Sequence, residues 1–112
     1  MPTNKLSAQN FEMFSGNTKP VAFDVIDHND LAVDLTGASG SFAVARTSRG
    51  PALFTKSGSV PGSPTNRIQF TIAPADTEAL NGTFYYECEI TDAAGRVSTI
   101  AFGTVNIKRN LI

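Results

Sequence analysis

Few side chains in this sequence are of a type that does chemistry, and their spacing does not assemble a reactive set. Cys88 is the only cysteine and His28 the only histidine, so the pattern places no nucleophile beside a base. Cys88 shares the inward face of a predicted strand with Phe84 and Tyr86. We therefore expect a buried thiol with a raised pKa, which is unreactive. The sequence predicts no catalytic residue and no enzyme.

Four aspartates surround one predicted turn and are the best candidate for a metal site. Asp24, Asp27, Asp30 and Asp34 would supply the hard oxygen ligands that calcium prefers. Asp24 and Asp34 nevertheless fall on outward strand positions, while Asp27 and Asp30 bracket the turn. The glycine and terminal glutamate of an EF-hand loop are missing. We interpret these carboxylates as solvated turn residues and predict neither a metal nor a cofactor site.

A second pair of carboxylates lies on the outward face of the strand that contains Cys88. Glu87 and Glu89 alternate with the inward residues, an arrangement that keeps a strand soluble and blocks stray edge pairing. Tyr85 points outward beside them. An exposed tyrosine between carboxylates is a candidate contact residue.

Strands, recognised by apolar residues at alternate positions, must position these groups. The clearest strand is 83–90, and the turn 92–95 joins it to a β-branched run over 96–107, which predicts a central antiparallel hairpin. The other alternating segments are 11–14, 19–26, 31–35, 39–46, 52–56 and 67–73. With about eight short strands and no helical period, the fold class is all-β, an antiparallel β-sandwich.

Two irregularities interrupt the strand pattern. Pro74 is tolerated at the start of a helical turn, so 74–80 is predicted as a single turn that crosses between the sheets. In the last strand the apolar residues change from even to odd positions after Phe102, which predicts a β-bulge at 103–104.

The large apolar residues of the alternating segments define the predicted core and one domain, 10–112. That core contains Phe23, Val25, Val33, Phe42, Val44, Phe70, Ile72, Phe84, Tyr86, Cys88 and Phe102. Residues 1–9 are polar and unpatterned, so we expect an N-terminal arm that is flexible or orders on a partner. The segment 57–66 is punctuated by glycine and proline and is predicted to be a contact-making loop.

Composition limits the partners of this chain. Its 112 residues suit one domain, and its net charge of −1 is nearly neutral. Arg46, Arg49 and Lys56 are the nearest approach to a basic cluster, without aromatic residues spaced to stack bases, so nucleic acid is not an expected partner. No apolar run reaches the length of a membrane span or a signal peptide. We expect synthesis and folding in a cytoplasm and no membrane partner.

Two resemblances add to this interpretation. The segment 76–79 followed by Tyr86-Glu-Cys88 resembles the immunoglobulin-type signature, in which a tyrosine precedes a cysteine by two residues, although this chain has no tryptophan and no second cysteine. The string 23–38, with its Val-Asp-Leu-Thr-Gly-Ala end, and the segments 76–90 and 92–95 together resemble the immunoglobulin-like N-terminal domain of phage baseplate upper proteins. This second resemblance covers about residues 11–108.

The phage resemblance implies an immunoglobulin-like sandwich that binds and positions other virion proteins and has no catalytic residues. We therefore expect a non-enzymatic virion structural protein, an accessory tail or baseplate subunit, multimeric in the particle and assembled in the host cytoplasm. One alternative is a capsid decoration protein on the phage head. Another is a bacterial surface adhesion or carbohydrate-binding module, for which the usual tryptophan platform is missing. The arm 1–9 and the loop 57–66 are the predicted attachment segments.

Overall fold

A computed structural model describes residues 6–112 of the chain and shows eight strands and one helical turn. The elements are β1 (Ser7–Ala8), β2 (Phe11–Phe14), β3 (Lys19–Asp24), β4 (Ser39–Ala45), β5 (Ala52–Gly58), β6 (Arg67–Ile72), α1 (Pro74–Thr77), β7 (Gly82–Thr91) and β8 (Val97–Lys108). The predicted all-β class is confirmed. No helix among residues 6–112 combines the length and apolar character that a membrane span requires.

Two sheets form the sandwich. The larger sheet has the order β1-β8-β7-β4-β5, with β2 also paired to β8, and the smaller sheet consists of β3 and β6. The pairings β3–β6, β4–β5, β4–β7 and β7–β8 are antiparallel, as predicted. The pairings of β1 and β2 with β8 are parallel, so the sandwich is not antiparallel throughout.

The predicted central hairpin is confirmed as β7 and β8. Its turn closes through a hydrogen bond from the Gly95 N–H to the Asp92 carbonyl oxygen, 2.9 Å. Gly95 has a φ of 86°, a conformation that glycine adopts without the steric penalty of a Cβ. Local hydrogen bonds therefore close the hairpin turn, and β4 pairs along the other side of β7.

The core lies between the two sheets and contains most of the predicted residues. Nine of the eleven are buried, namely Phe23, Val25, Phe42, Val44, Phe70, Ile72, Phe84, Tyr86 and Cys88. Val33 is only partly buried. Phe102 is also half-buried, because it faces away from the core on the outer side of the larger sheet, opposite Glu87. In β8 the core positions belong to Ile100, Ala101, Val105 and Ile107.

Facing glycines let the smaller sheet approach the larger one. Gly40 of β4 pairs directly with Gly58 of β5. A Cβ on Gly58 would lie 2.6 Å from Cε1 of Phe70, and one on Gly40 would overlap the Ile68 side chain. Because neither glycine has a side chain, Ile68 and Phe70 of β6 can fill the space between the sheets.

The prediction of a strand at 31–35 is wrong. This segment makes one isolated bridge and joins neither sheet. The Asp27 carboxylate accepts the backbone N–H of Leu31 at 3.1 Å, and the Asp27 N–H donates to the Leu31 carbonyl oxygen at 2.9 Å, so the chain turns tightly here and does not continue a sheet. Leu31 is consequently 63% exposed, whereas Leu35 is buried.

The β-bulge of the last strand lies earlier than predicted. The register shifts between Cys88 and Glu89, whose partners are Ala101 and Thr99, so Ile100 is the extra residue. Both Ile100 and Ala101 are buried. The change from even to odd apolar positions therefore occurs at 100–101 and not at 103–104.

The two predicted attachment segments are partly built into the sandwich. Within 1–9, residues 1–5 lie outside the described residues, but Ser7–Ala8 is a strand on β8, so the paired part of the chain begins before residue 10. Within 57–66, the first two residues belong to β5, and Ser59 exchanges two 2.9 Å hydrogen bonds with Gln69. The punctuated loop is therefore shorter than expected.

Candidate functional site

Cys88 has no features of a reactive thiol. It is fully buried on β7, and burial, with a smaller effect of the Glu89 carboxylate, raises the pKa of its thiol to about 12. The inward position predicted from the alternation is confirmed. At neutral pH a thiol with this pKa is almost entirely protonated and does not act as a nucleophile.

Neighbouring groups bind the carboxylates of Asp24, Asp27 and Asp34. The Asp24 carboxylate accepts two hydrogen bonds from the Arg67 guanidinium, at 2.7 and 3.1 Å. Asp27 Oδ1 accepts the Asn29 N–H at 2.8 Å, and Asp34 Oδ1 accepts the Thr36 hydroxyl at 2.6 Å. Among residues 6–112, no group of three histidine, cysteine, aspartate or glutamate side chains is arranged to hold a metal ion.

Tyr85 is less exposed than its outward position suggested. It is half-buried, and its hydroxyl donates to Glu87 Oε2 at 2.8 Å. Burial and this carboxylate raise the pKa of the tyrosine. Two of the three candidates on this face therefore bind each other, and only Glu89 is exposed.

The predicted basic cluster is not a continuous patch. The Arg46 guanidinium lies over the Phe84 ring, 5.6 Å from its centroid. Lys56 Nζ is 3.0 Å from Asp76 Oδ2. Arg49 is exposed on the turn between β4 and β5. Two of the three cations therefore interact with side chains of the same domain.

The Val-Asp-Leu-Thr-Gly-Ala motif at 33–38 builds a turn. Leu35 is buried, and Asp34 Oδ1 accepts the Thr36 N–H at 2.9 Å. Gly37 has a φ of 79°, and a Cβ there would lie 3.1 Å from Cβ of Ala93. The motif thus buries Leu35 in the core, and its turn packs against the turn of the β7–β8 hairpin.

A lock between the N-terminal strand and the core was not foreseen from the sequence. The Tyr86 hydroxyl, on a fully buried side chain, donates to the Gln9 carbonyl oxygen at 2.7 Å. The Thr104 N–H donates to Asn10 Oδ1 at 3.0 Å. Gly103 lies beneath this crossing, where a Cβ would overlap the Gln9 carbonyl oxygen. The Asn10 side chain thus supplies an acceptor in the parallel ladder while the Gln9 carbonyl bonds to the core tyrosine.

The one sequence signal for this lock was the glycine itself. An isolated glycine within a strand marks either a bulge or a close backbone approach. Gly103 stands opposite Tyr86 in the β7–β8 ladder, and it marks a close approach. In the immunoglobulin-type signature the tyrosine hydroxyl bonds to the backbone a few residues upstream. The Tyr86 hydroxyl instead bonds to the distant Gln9 carbonyl oxygen.

Exposed apolar side chains provide the remaining candidate contact surfaces. Leu31 and Val97, 63% and 60% exposed, lie at the end of the sandwich where β8 begins. At the opposite end, where β8 finishes, Phe14, Leu111 and Ile112 are exposed. These three residues line an open groove together with Asn17 and Asn110, which we call the terminal groove.

Hydrogen bonds attach the C-terminal wall of the terminal groove to the sandwich. Asn110 Nδ2 donates to the Ser15 carbonyl oxygen at 3.2 Å and to Asn17 Oδ1 at 3.3 Å. The Ile112 N–H donates to Asn110 Oδ1 at 2.9 Å. Asn110 therefore positions the groove against the end of β2. An apolar groove with a few fixed polar groups at its edge suits contact with a protein side chain.

No known family model matches the sequence, and no curated protein matches it significantly.

Proposed function

We propose that this chain is a non-enzymatic structural subunit of a phage particle, an accessory protein of the tail or baseplate that binds and positions neighbouring virion proteins. The contact role and the virion location have separate support. The contact role is supported by the exposure of large apolar side chains, whereas the potentially reactive side chains are buried or hydrogen-bonded. The virion location is supported by the resemblance at 23–38 and 76–95.

The observation that carries the contact role is the contrast between reactive and apolar groups. Cys88 is buried, the Asp24 carboxylate is bound by Arg67 on the paired strand, and those of Asp27 and Asp34 are bound within their own turns. Large apolar side chains, in contrast, are left outside at both ends of the sandwich. Contiguous exposed apolar patches rimmed by polar residues mark surfaces that bind other proteins.

The segment that carries the resemblance has a clear structural role in this chain. The turn 34–38 places Leu35 in the core and packs on the turn of the β7–β8 hairpin. A subunit that positions others benefits from such a rigid framework, because binding then costs little ordering of the subunit itself. The same framework suits a tail and a head subunit alike, so the experiment below separates the two.

Localisation in purified particles tests this proposal. Particles of the phage that encodes the chain are purified through a density gradient, tested with an antibody against the chain, and labelled with gold for electron microscopy. Gold at the tail or baseplate is the expected result, whereas gold over the head would identify a decoration protein. Particles that lack the chain would overturn the virion proposal.

A further inference from the structure

Charge is divided between the two ends of this molecule. The sandwich measures 46 × 28 × 22 Å, and the twelve-residue β8 alone spans roughly 40 Å at about 3.3 Å per residue. The strands therefore run along the long axis, and the connecting loops lie at its ends. The end where β8 begins includes the turns 25–38 and 92–96, and the end where β8 finishes includes the turn 46–51 and residues 109–112.

Opposite net charges mark these ends. At the acidic end, five carboxylates outnumber two guanidinium groups, for a net charge of −3; they are Asp24, Asp27, Asp30, Asp34 and Asp92, with Arg67 and Arg96. At the basic end, six cations outnumber three carboxylates, for a net charge of +3; they are Lys19, Arg46, Arg49, Lys56, Lys108 and Arg109, with Glu12, Asp76 and Glu78. Although the net charge of the chain is only −1, negative and positive charge are thus separated between its two ends.

Each end also has an apolar element, and the two differ in shape. The acidic end projects Leu31, which is 63% exposed on the turn fixed by Asp27. The basic end contains the terminal groove, whose apolar wall is formed by Phe14, Leu111 and Ile112. A projecting leucine with an acidic surround and an apolar groove with a basic surround are complementary in both shape and charge. Apolar centres with polar rims are the usual anatomy of protein interfaces.

We propose that copies of this chain associate head to tail, with Leu31 of one copy in the terminal groove of the next and the acidic and basic ends facing each other. The occupant is a second copy because the same chain supplies both halves of the match. A two-fold dimer through either end would bring like charges together, which opposes association. Head-to-tail contacts use two different surfaces and so form rings or rows, an arrangement that suits a subunit present in many copies.

This inference deepens the proposed function, but it concerns the purified protein and is tested without particles. Sedimentation equilibrium of the full chain is measured up to about 1 mM, where a contact worth roughly 4 kcal/mol becomes visible. Association should weaken as salt rises, because exposed charges separated by more than about 10 Å are screened at 0.1 M ionic strength. A monomer at every concentration, or association that strengthens with salt, would overturn the proposal.

Paired charge variants identify the two surfaces. D30N/D34N removes two charges from the acidic end and keeps an oxygen at position 34 for the Thr36 N–H. R49E/R109E reverses two exposed charges at the basic end. Each variant alone should self-associate about tenfold more weakly than the parent chain. The control E87Q/E89Q changes the net charge as much as D30N/D34N does, but on the outer face of β7, and should associate like the parent.

A mixture of the two variants is the decisive arm. R49E/R109E retains a native acidic end, and D30N/D34N retains a native basic end, so the mixture should restore one native contact. We expect mainly a 1:1 complex, with larger assemblies weakened by the altered outer ends. Circular dichroism of each variant checks that it folds. A mixture of folded variants that associates no better than either alone would contradict the head-to-tail arrangement.

Discussion

Replacement of Gly103 by alanine should destabilise the protein, although alanine is ordinarily the better residue inside a strand. Where alanine can adopt the native backbone conformation, a change from glycine to alanine gains about 0.4 to 1 kcal/mol by restricting the unfolded chain. At Gly103 the new Cβ would overlap the Gln9 carbonyl oxygen and lie 2.7 Å from the Gln9 carbonyl carbon. A backbone group cannot rotate away as a side chain does, so β1 must leave β8.

The magnitude follows from the bonds that leave with β1. The Gln9 N–H to Phe102 oxygen bond, the Thr104 N–H to Asn10 Oδ1 bond and the Tyr86 hydroxyl to Gln9 oxygen bond are lost, at 3.0, 3.0 and 2.7 Å. Each contributes about 1 kcal/mol, and a tyrosine hydroxyl left buried without a partner costs a further 1 to 3 kcal/mol or so. Less the unfolded-state gain, we expect Gly103→Ala to lose about 3 to 5.5 kcal/mol of unfolding free energy.

Urea denaturation of four proteins measures this loss and its origin. They are the parent chain, Gly103→Ala, Tyr86→Phe and the double variant. Tyr86→Phe alone should cost about 1 to 2 kcal/mol because it removes the hydrogen bond to the Gln9 carbonyl oxygen. Once Gly103→Ala has displaced that carbonyl, Tyr86→Phe should instead recover about 1 to 3 kcal/mol, because it removes a buried hydroxyl that has lost its partner. Thr104→Ala, an exposed neighbour on β8, is the control. An unchanged or raised midpoint for Gly103→Ala, or additive effects in the double variant, would refute this reasoning.

Three further predictions concern the core and one surface ion pair. Thiol reagents should label Cys88 only as the protein unfolds, since burial raises its pKa to about 12; rapid labelling of the native protein would show that it is accessible. Phe84→Ala should cost about 3 to 5 kcal/mol in urea denaturation, because this ring is 3% exposed, whereas Phe14→Ala, at 50% exposure, should cost far less; equal costs would contradict the assigned faces. The hydrogen bond from Arg67 lowers the pKa of Asp24 below 3.8, so the ion pair stabilises the fold above that pH, and its contribution is lost as the pH falls through the lower folded-state pKa. The difference in unfolding free energy between the parent chain and Asp24→Asn should therefore shrink on acidification. A difference that grows as the pH falls would contradict the lowered pKa.

Local patterns in the sequence predicted the parts of the fold that depend on neighbouring residues. Alternation located β3, β4, β6 and the β7–β8 hairpin, because one face of each strand is buried and residues two apart share it. Proline at position 74 predicted the helical turn, which α1 confirms. Nine of the eleven core residues followed from the same rule.

The errors arose where distant residues decide the structure. The segment 31–35 has the strand period, but its Leu35 N–H donates to the carbonyl oxygen of Thr65, far along the chain, and the segment joins neither sheet. Gly103 was assigned to a bulge because its actual constraint, the Gln9 carbonyl, belongs to the other end of the sequence. Ile100 is the residue at the bulge, and an isoleucine within a strand gives no sequence signal of a bulge.

The candidate contact surfaces were the least predictable part. Residues 1–9 and 57–66 were chosen for polarity and flexibility, yet Ser7–Ala8 and Ser59 make ladder bonds within the domain. The terminal groove and the separation of charge depend on which loops meet at each end, and that requires the topology. Sequence alone therefore predicted a contact role without locating these candidate surfaces.

Cross-linking of purified particles tests most directly whether this protein acts by contact with virion subunits. Particles are treated with a lysine-reactive cross-linker, digested and analysed by mass spectrometry, with the free protein treated in parallel. Our account predicts cross-links from Lys19 or Lys108 at the basic end to other tail or baseplate proteins or to a second copy. Purified particles in which this chain is absent, or present without a cross-link to any neighbour while other subunits are cross-linked, would contradict it.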